Sequence, residues 1–329
     1  MKAFVTGGGG FLGNAIIRQL IARGDEVISF SRGKYPDLEK LGVKHAQGDL
    51  ANEADVCSAM GNCDIVFHAA AKAEPWGQFE DYFRTNVMGT LNIINACKKM
   101  GVSRLVYTSS PCVVFNGKKN LEGIDESAPY GKDFNSSYQK TKTTAELIVL
   151  VANSDQLATV ALRPHLIWGP GDKNLIPRLV ERARKRQLKI VGNGKNIIDH
   201  VFIDNAAKAH LQAADHLAPG SVVAGKAYFI SNDEPYPIGV MINRFLQVYG
   251  LPPVRMHVPV FLAYFGGWFF ENLYTILKLK SEPLVTRFLA YELSTSHWFN
   301  ISAARRDFGY KPEISFDKGL ELLRASIRD

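Results

Sequence analysis

A tyrosine and a lysine stand four residues apart in the segment Ser136-Ser137-Tyr138-Gln139-Lys140-Thr141-Lys142. The two serines are favourable helix N-caps, and the apolar residues that follow predict a helix that continues into a core. On a helix this spacing puts Tyr138 and Lys142 on one face. A nearby ammonium favours phenolate and lowers the pKa of a phenol from about 10. The pair could therefore move a proton on or off an alcohol oxygen near neutral pH, although the same spacing also arises by chance on helix surfaces.

Composition narrows the classes of protein to which the chain can belong. It has 329 residues, 46% of them hydrophobic, which suits one large domain or two smaller ones. The net charge of +7 comes from 39 basic and 32 acidic residues, and no nucleic-acid-binding motif accompanies it. The 4 cysteines form no CxxC pair and the 8 histidines form no metal motif. We therefore predict a cytoplasmic protein with no metal site, and no segment resembles a signal peptide.

Strands and helices alternate along the amino-terminal half. Short apolar strands are predicted at 2–6, 26–31, 44–47, 64–68 and 104–108, with the clearest helices at 14–23 and 86–100. This alternation is typical of an α/β fold, a doubly wound parallel sheet of the Rossmann type. The remaining third departs from the rhythm and predicts a smaller carboxy-terminal substrate lobe. We place the dinucleotide-binding domain at 1–170, with 199–232 returning to it, and the substrate-binding lobe at 171–198 and 233–329.

A glycine-rich turn separates the first strand from the first helix. Gly7, Gly10 and Gly13 are spaced three apart, and Gly8 also fits a G-x-G-x-x-G pattern. Between a strand and a helix, such a turn offers backbone N–H groups to a pyrophosphate. We interpret it as a dinucleotide site, with a plain tight turn as the alternative.

The second strand ends in Ser31-Arg32, where a fold selective for NAD usually places an acid that holds the ribose 2′-hydroxyl. An arginine there can instead pair with a 2′-phosphate. The position favours NADP over NAD. The alternative is an exposed arginine that contacts no cofactor.

Several further motifs follow in order along the first 210 residues. They are Thr6-Gly7-Gly8-Gly9-Gly10-Phe11-Leu12-Gly13, Gly48-Asp49-Leu50, His68-Ala69-Ala70-Ala71, Asn86-Val87-x-Gly89-Thr90, Tyr107-Thr108-Ser109-Ser110, Tyr138-x-x-x-Lys142 and Arg163-Pro164-His165-x-x-x-Gly169-Pro170-Gly171. Together they resemble an extended short-chain dehydrogenase/reductase. The run from Tyr228 to Pro237 is similar to the 3β-hydroxysteroid dehydrogenase/isomerase branch. Other segments resemble sterol-4α-carboxylate 3-dehydrogenases and 2-alkyl-3-oxoalkanoate reductases.

The resemblance implies a role for each matching residue. Tyr138 would be the general acid/base, Lys142 would lower its pKa and hold the nicotinamide ribose, and Ser110 would hydrogen-bond the reacting oxygen, with Ser109 as the fallback. The implied cofactor-binding residues are Gly7, Gly10, Phe11, Leu12, Gly13, Ser31, Arg32, Asp49, Leu50, Ala69, Ala70, Ala71, Tyr138, Lys142, Pro164 and His165.

The implied reaction is an NAD(P)-dependent interconversion of a secondary alcohol and a ketone on a lipophilic substrate. That substrate would be a 3β-hydroxysteroid or a β-hydroxy/β-keto acid. His165 and Lys72 are candidates to receive a carboxylate, and Cys112 could approach the substrate or be a small buried hydrophobe. The alternatives are a nucleotide-sugar epimerase or dehydratase of the same superfamily and a non-catalytic NAD(P)-binding regulator.

The segment Val258 to Lys280 is unusually aromatic. Its apolar run before Glu271 has thirteen residues, too few to span a bilayer. Phe261, Phe265 and Phe269 recur at helical spacing, which fits packed core, a lid over a lipophilic pocket or an interfacial anchor. We favour a lid that also touches a membrane, in a homodimer that is cytoplasmic or peripheral at a membrane.

Overall fold

The computed structural model describes residues 1–74, 76–117, 119–277, 279 and 281–328. Lys278 and Lys280, which close the aromatic segment, lie outside the described residues. The strands are β1 (Lys2–Thr6), β2 (Glu26–Ser31), β3 (Lys44–Gln47), β4 (Ile65–His68), β5 (Arg104–Thr108), β6 (Leu121–Ile124), β7 (Ala158–Pro164), β8 (Ile167–Trp168), β9 (Ile190–Val191), β10 (Ile197–Ile198), β11 (Val201–Phe202), β12 (Lys226–Ile230), β13 (Tyr236–Pro237), β14 (His257–Val258) and β15 (His297–Phe299).

The helices lie between these strands and after them. They are α1 (Phe11–Ala22), α2 (Pro36–Glu39), α3 (Glu53–Met60), α4 (Phe79–Tyr82), α5 (Gly89–Met100), α6 (Ser137–Val151), α7 (Leu175–Arg184), α8 (Ile203–His216), α9 (Ile238–Val248), α10 (Val260–Ile276), α11 (Arg287–Glu292), α12 (Ser302–Phe308) and α13 (Phe316–Arg328). A π-helical turn at Phe83–Met88 leads into α5, and a 3₁₀ turn at Pro111–Val114 follows β5.

A seven-stranded sheet in the order β12-β7-β5-β4-β1-β2-β3 forms the centre, and every neighbouring pair in it is parallel. All seven residues of β7 are buried, as a strand covered on both faces requires. The strand order reverses between β1 and β4, and ligands of open parallel sheets bind at the carboxyl edge of such a point. The predicted fold class is confirmed, and four of the five predicted strands have the predicted bounds.

Two hydrophobic clusters cover the two faces of this sheet. One contains buried residues of α1 and α8, and the other contains buried residues of α3, α5 and α6. His68, at the end of β4, hydrogen-bonds through its ring nitrogens with Thr6 and Thr90. Burial lowers the pKa of His68 to about 3, so it is a neutral core histidine.

Two helix starts differ from the sequence prediction. Helix α1 begins at Phe11 and not at residue 14, since Gly10 is its N-cap and the glycine turn runs straight into it. The helix predicted to begin at Asn86 is preceded by the π-helical turn. The Asn86 amide there accepts from the Lys72 N–H and donates to the Lys72 carbonyl and the Thr141 hydroxyl. These bonds join the turn to α6 and to the loop after β4.

The carboxy-terminal part adds a four-stranded sheet in the order β13-β10-β15-β6 and the small pairs β8–β11 and β9–β14. Strand β6, from the segment assigned to the dinucleotide-binding domain, pairs with β15 of the substrate lobe. The division into the two stated units stays a prediction. Among the described helices, none is both long and apolar enough to cross a membrane.

Candidate active site

The site is built where β5 and α6 meet. The Ser136 hydroxyl caps α6 by accepting from the Gln139 N–H at 3.1 Å, so Tyr138 lies in the first turn of that helix and Lys142 one turn later. Strand β5 ends at Thr108, and Ser109 and Ser110 follow it at the carboxyl edge of the sheet. The sequence prediction that one helix face carries the tyrosine and the lysine agrees with this helix.

Lys142 is 2% exposed, and its ammonium has two compensating contacts. Its Nζ donates to the carbonyl of Thr108 at 2.5 Å and lies 4.2 Å from the centroid of the Tyr107 ring. Burial lowers the pKa of Lys142 to about 8, because desolvation penalises its charged form. The lysine therefore ties α6 to the end of β5.

Tyr138 faces Ser110. Burial raises the pKa of Tyr138 well above its ordinary value, Cys112 adds to the rise, and a hydrogen bond with Ser110 lowers it. The sequence argument expected the ammonium of Lys142 to lower this pKa, but in the structure burial outweighs the favourable contacts. The Ser109 hydroxyl is buried and has no partner among the described residues. Ser110, and not Ser109, is thus the hydroxyl that the structure brings to Tyr138.

The glycine turn forms a close backbone cradle. Gly7 has φ of +71°, and a Cβ added there would lie 2.9 Å from the Ala70 Cα. A Cβ at Gly13 would lie 2.3 Å from the Gly7 carbonyl oxygen. The N-cap Gly10 makes no side-chain cap, so the first-turn N–H groups of α1, including those of Phe11 and Leu12, have no capping side chain among the residues that the structure describes and could bind an anion. These residues fit the pyrophosphate of a dinucleotide.

The predicted adenine end lies along β2 and β3. The Arg32 side chain is exposed and makes no ion pair in the described part of the chain, while the buried Ser31 hydroxyl likewise has no partner there. Asp49 accepts from the Ala51 N–H at 3.0 Å and from Arg84 at 2.7 Å. The guanidinium of Arg32 could therefore bind a phosphate group at the end of β2.

The floor beneath the cofactor position follows β4 and β7. Leu50 is buried, and its carbonyl accepts from Asn92. The Ala70 N–H donates to Thr6, which fixes the Ala69 to Ala71 segment against β1. Pro164 ends β7 in register with Ile230 of β12.

A cavity of about 800 Å³ opens at Tyr138 and runs between α7 and α10. Its walls are mainly aliphatic and aromatic, supplied by Leu175, Leu179, Leu188, Ile190, Ile238, Ile242, Leu262, Ala263, Phe270, Val285, Phe288, Leu289 and Leu293. Charged side chains also line it, namely Arg178, Arg182, Arg186, Lys189, Glu282 and Glu292. Its shape and lining suit a long lipophilic molecule with its reacting carbon at Tyr138.

The three predicted substrate contacts do not line this cavity, as far as the described residues show. The ring of His165 is buried and bonds through Nδ1 to Asp199 at 2.6 Å. The ammonium of Lys72 lies 3.5 Å from Glu74 and 5.2 Å from the Tyr82 ring centroid. Cys112 is 3% exposed within the core, and burial raises its pKa to about 12. The carboxylate-binding role of His165 or Lys72 stays a prediction.

Sequence reasoning missed Glu292, a carboxylate that lines the cavity together with Tyr138. It lies 154 positions after Tyr138 in a segment without a recognisable motif, so spacing offered no signal. The aromatic stripe on α10 was found correctly as a helix, but Phe261, Phe265 and Phe269 are 69%, 59% and 49% exposed. The packed-core interpretation is therefore wrong for these side chains.

The chain is similar to known proteins over most of its length. Residues 4–258 match the family model described as the 3-beta hydroxysteroid dehydrogenase/isomerase family. The chain is 50% identical to a 2-alkyl-3-oxoalkanoate reductase of Stenotrophomonas maltophilia, over 99% of each chain. It is 34% identical to the decarboxylating sterol-4-alpha-carboxylate 3-dehydrogenase of Mus musculus, over 97% of this chain and 89% of that one.

Solved structures agree on the fold. The UDP-glucuronic acid 4-epimerase of Bacillus cereus, in complex with NAD, has a TM-score of 0.76 and 20% identity, covering 100% of this chain and 99% of that chain. At this identity the likeness extends to the fold alone.

We expect Tyr138→Phe to lower turnover by about a hundredfold to ten-thousandfold, because it removes the proton donor and keeps the ring. Cofactor affinity, measured by quenching of protein fluorescence, should persist. Tyr228→Phe is the matched control, since its hydroxyl bonds to Asp307 at 2.7 Å and neither residue takes part in the proposed chemistry. Turnover of Tyr138→Phe within a few-fold of the parent would contradict the assignment.

Proposed function

The chain belongs to the 3-beta hydroxysteroid dehydrogenase/isomerase family and is an NAD(P)-dependent oxidoreductase, and we propose that it reduces 2-alkyl-3-oxoalkanoates to β-hydroxy acids. The observation that carries the proposal is the apolar cavity that ends at Tyr138. Such a space accepts two alkyl chains and leaves the keto group at the phenol. The 50% identical reductase supports this substrate class over a sterol.

The residues divide the chemistry among themselves. A bound nicotinamide cofactor supplies the hydride that reduces the ketone carbon. Tyr138 donates its proton to the ketone oxygen as that oxygen gains charge, and Ser110 hydrogen-bonds the same oxygen. Lys142 would stabilise the phenolate that remains and would hold the nicotinamide ribose. The raised pKa of Tyr138 keeps the phenol protonated, which is the form that reduction consumes.

A nucleotide sugar fits this cavity poorly. Its diphosphate and sugar need polar partners, and the cavity does offer four cationic side chains, but most of its lining is aliphatic or aromatic and it also holds the acids Glu282 and Glu292. The basic residues of α7 line the cavity alongside those apolar walls. We therefore place the nucleotide-sugar alternative below a lipophilic acid.

We also propose that the mouth of the cavity rests on an anionic membrane. Exposed aromatic residues of α10, Phe261, Phe265, Trp268 and Phe269, stand on the outer face of the helix whose other side lines the cavity. Across the cavity α7 contributes Arg178 and Arg182. An apolar face beside basic residues is the pattern of an interfacial helix. A lipophilic substrate would then enter from the bilayer.

The cofactor is proposed to be NADP. Arg32 is exposed at the end of β2 and forms no ion pair with any other described residue, and the 2′ position of the adenine ribose is expected there. A guanidinium there can hold a phosphate by charge-assisted hydrogen bonds.

The proposed function is tested with a 2-alkyl-3-hydroxyalkanoate and oxidised cofactor, because the β-hydroxy acid is stable in solution. We expect oxidation whose kcat/KM falls about fourfold for each methylene removed, since a buried methylene contributes about 0.8 kcal/mol. A 3β-hydroxysterol 4-carboxylate is the comparison substrate. Faster turnover of the sterol would favour a 3β-hydroxysteroid as the substrate over a 2-alkyl-3-oxoalkanoate. Cofactor binding without any turnover would instead identify a regulator.

Arg32→Asp should reverse a preference for NADPH over NADH. Loss of a charge-assisted bond of about 1.5–3 kcal/mol corresponds to roughly tenfold to a hundredfold in KM for NADPH. Lys34→Asp, which changes an exposed charge two residues away, is the matched control and should shift the ratio less. If the parent enzyme already prefers NADH, the assignment of Arg32 is wrong.

The double change Phe265→Asp with Phe269→Asp should abolish sedimentation with vesicles that contain phosphatidylglycerol. We expect the parent to bind them and to release them as salt rises, because the basic residues are screened. Val222→Asp with Ile327→Asp places the same charges on exposed residues elsewhere and should leave binding intact. Equal binding by both double variants would exclude α10 as the membrane contact, and no binding by the parent would exclude the membrane. A changed oligomeric state in the α10 variant would show instead that this face joins two copies of the chain.

A further inference from the structure

A half-buried carboxyl group, that of Glu292, lines the cavity together with Tyr138. Glu292 is the last residue of α11 and lines both the large cavity and a small adjoining one, whose walls include Phe115 and His297. Within the described residues its carboxylate has no hydrogen bond and no ion pair. The other acid of the large cavity, Glu282, is paired with Arg178 at 3.0 Å. The carboxyl group of Glu292 could therefore form a hydrogen bond with a ligand in the cavity.

Four titratable groups face Glu292 from the elements around it. The negative charge of Glu292 raises the pKa of both Tyr138 and Cys112. His165 lowers the pKa of Glu292, while the Nε2 of His297 donates to the backbone carbonyl of Glu292 at 2.8 Å. Burial is the larger influence and raises the pKa of Glu292 to about 7. The carboxyl group thus gains or loses its proton within the physiological range.

More distant charges line the same cavities. They are Arg178, Arg182, Arg186, Lys189 and Glu282 in the large cavity and Lys119 in the small one. Among the described residues, none of these forms an ion pair with Glu292, so its protonation responds chiefly to burial and to whatever enters beside Tyr138.

We propose that Glu292 selects the substrate by charge: its protonated carboxyl group donates a hydrogen bond to the carboxylate of a β-keto or β-hydroxy acid at Tyr138, and its ionised form repels that carboxylate. The proposal rests on the proposed substrate class, since it concerns the second functional group of the same molecule. The keto oxygen of a β-keto acid is two carbons from its carboxyl carbon, so both ends reach the reacting end of the cavity together.

The physical basis is a shared proton. Two carboxylates in one apolar site cannot both be ionised without a large cost, and one proton between them makes a short, strong hydrogen bond. Binding of the acid should then take up a proton whenever Glu292 starts ionised. A neutral Glu292 also removes a negative charge that opposes phenolate formation at Tyr138. One protonation event would favour both binding and proton donation.

The test compares a carboxylate ligand with its methyl ester over pH 6 to 9. We expect the Kd of tetradecanoate for the cofactor complex to rise about thirtyfold between pH 6 and pH 8.5, because the binding-competent form becomes scarce above its pKa. The Kd of methyl tetradecanoate should change little. Calorimetry in buffers of different ionisation enthalpy should show nearly one proton taken up per tetradecanoate at pH 8.

Glu292→Gln keeps a hydrogen-bond donor and cannot ionise, so the Kd of tetradecanoate should become independent of pH and proton uptake should vanish. Glu282→Gln is the matched control and should keep the parent's pH dependence. A pH-independent Kd in the parent, or proton uptake that survives in Glu292→Gln, would overturn the proposal. If the glutamine variant does not fold, proton uptake by the parent decides alone.

Failure of the proposed function gives a different result. In that case the parent would leave the 2-alkyl-3-hydroxyalkanoate unoxidised at every pH from 6 to 9. If the parent oxidises that acid while its tetradecanoate binding shows no linked proton, the reductase function stands and the role of Glu292 is wrong.

Discussion

The position of Tyr138, for which we propose the role of proton donor, depends on two buried charges one turn apart on α6. Lys142 bonds to the Thr108 carbonyl at the end of β5, and Glu146 pairs with Arg163 of β7 at 2.5 Å, with side chains 0% and 3% exposed. A buried ion pair stabilises little over an apolar pair, but losing one partner is costly because a charge is left unpaired. The helix therefore has few alternative positions on the sheet. Tyr138, one turn before Lys142, acquires its place from these contacts.

The same burial that fixes the helix sets the proton chemistry. Tyr138 and Glu292 line the mainly apolar cavity, and Lys142 is buried one turn after Tyr138, so all three groups are shielded from water. Desolvation raises the pKa of both acids and lowers that of the lysine, so all three shift towards their neutral forms. A neutral phenol is a proton donor, which suits reduction of a ketone. The lipophilic pocket and the direction of the proposed reaction thus have one physical cause.

The sequence predicted what local periodicity and backbone motifs determine. Strands β1, β2, β3 and β5, the glycine turn and the cap at Ser136 were found because each depends on neighbours in the chain. The Asp199 partner of His165, the π-helical turn before α5 and the acid at Glu292 depend on contacts across tens to hundreds of residues. The sequence predicted a lowered pKa for Tyr138, whereas the structure gives a raised one. Sequence spacing indicates a neighbouring charge but not how deeply the phenol is buried.

Helix α10 shows why periodicity alone cannot say which face of a helix is buried. Hydrophobicity alone would predict that the most apolar stripe of this helix faces the protein interior. The buried residues of the helix are instead Ala263, Gly267 and Glu271. A Cβ at Gly267 would lie 2.6 Å from the Arg287 N, so only a glycine allows α11 to approach this closely. Glu271 then accepts from the Arg287 backbone and side chain and completes the contact. Because the helix face with the small residues Ala263 and Gly267 packs closely against α11, the large aromatic side chains lie on the opposite, exposed face. Exposed apolar area of this extent is costly in water unless something covers it, and the cover that we propose is an anionic bilayer, which the basic residues of the cavity wall would attract.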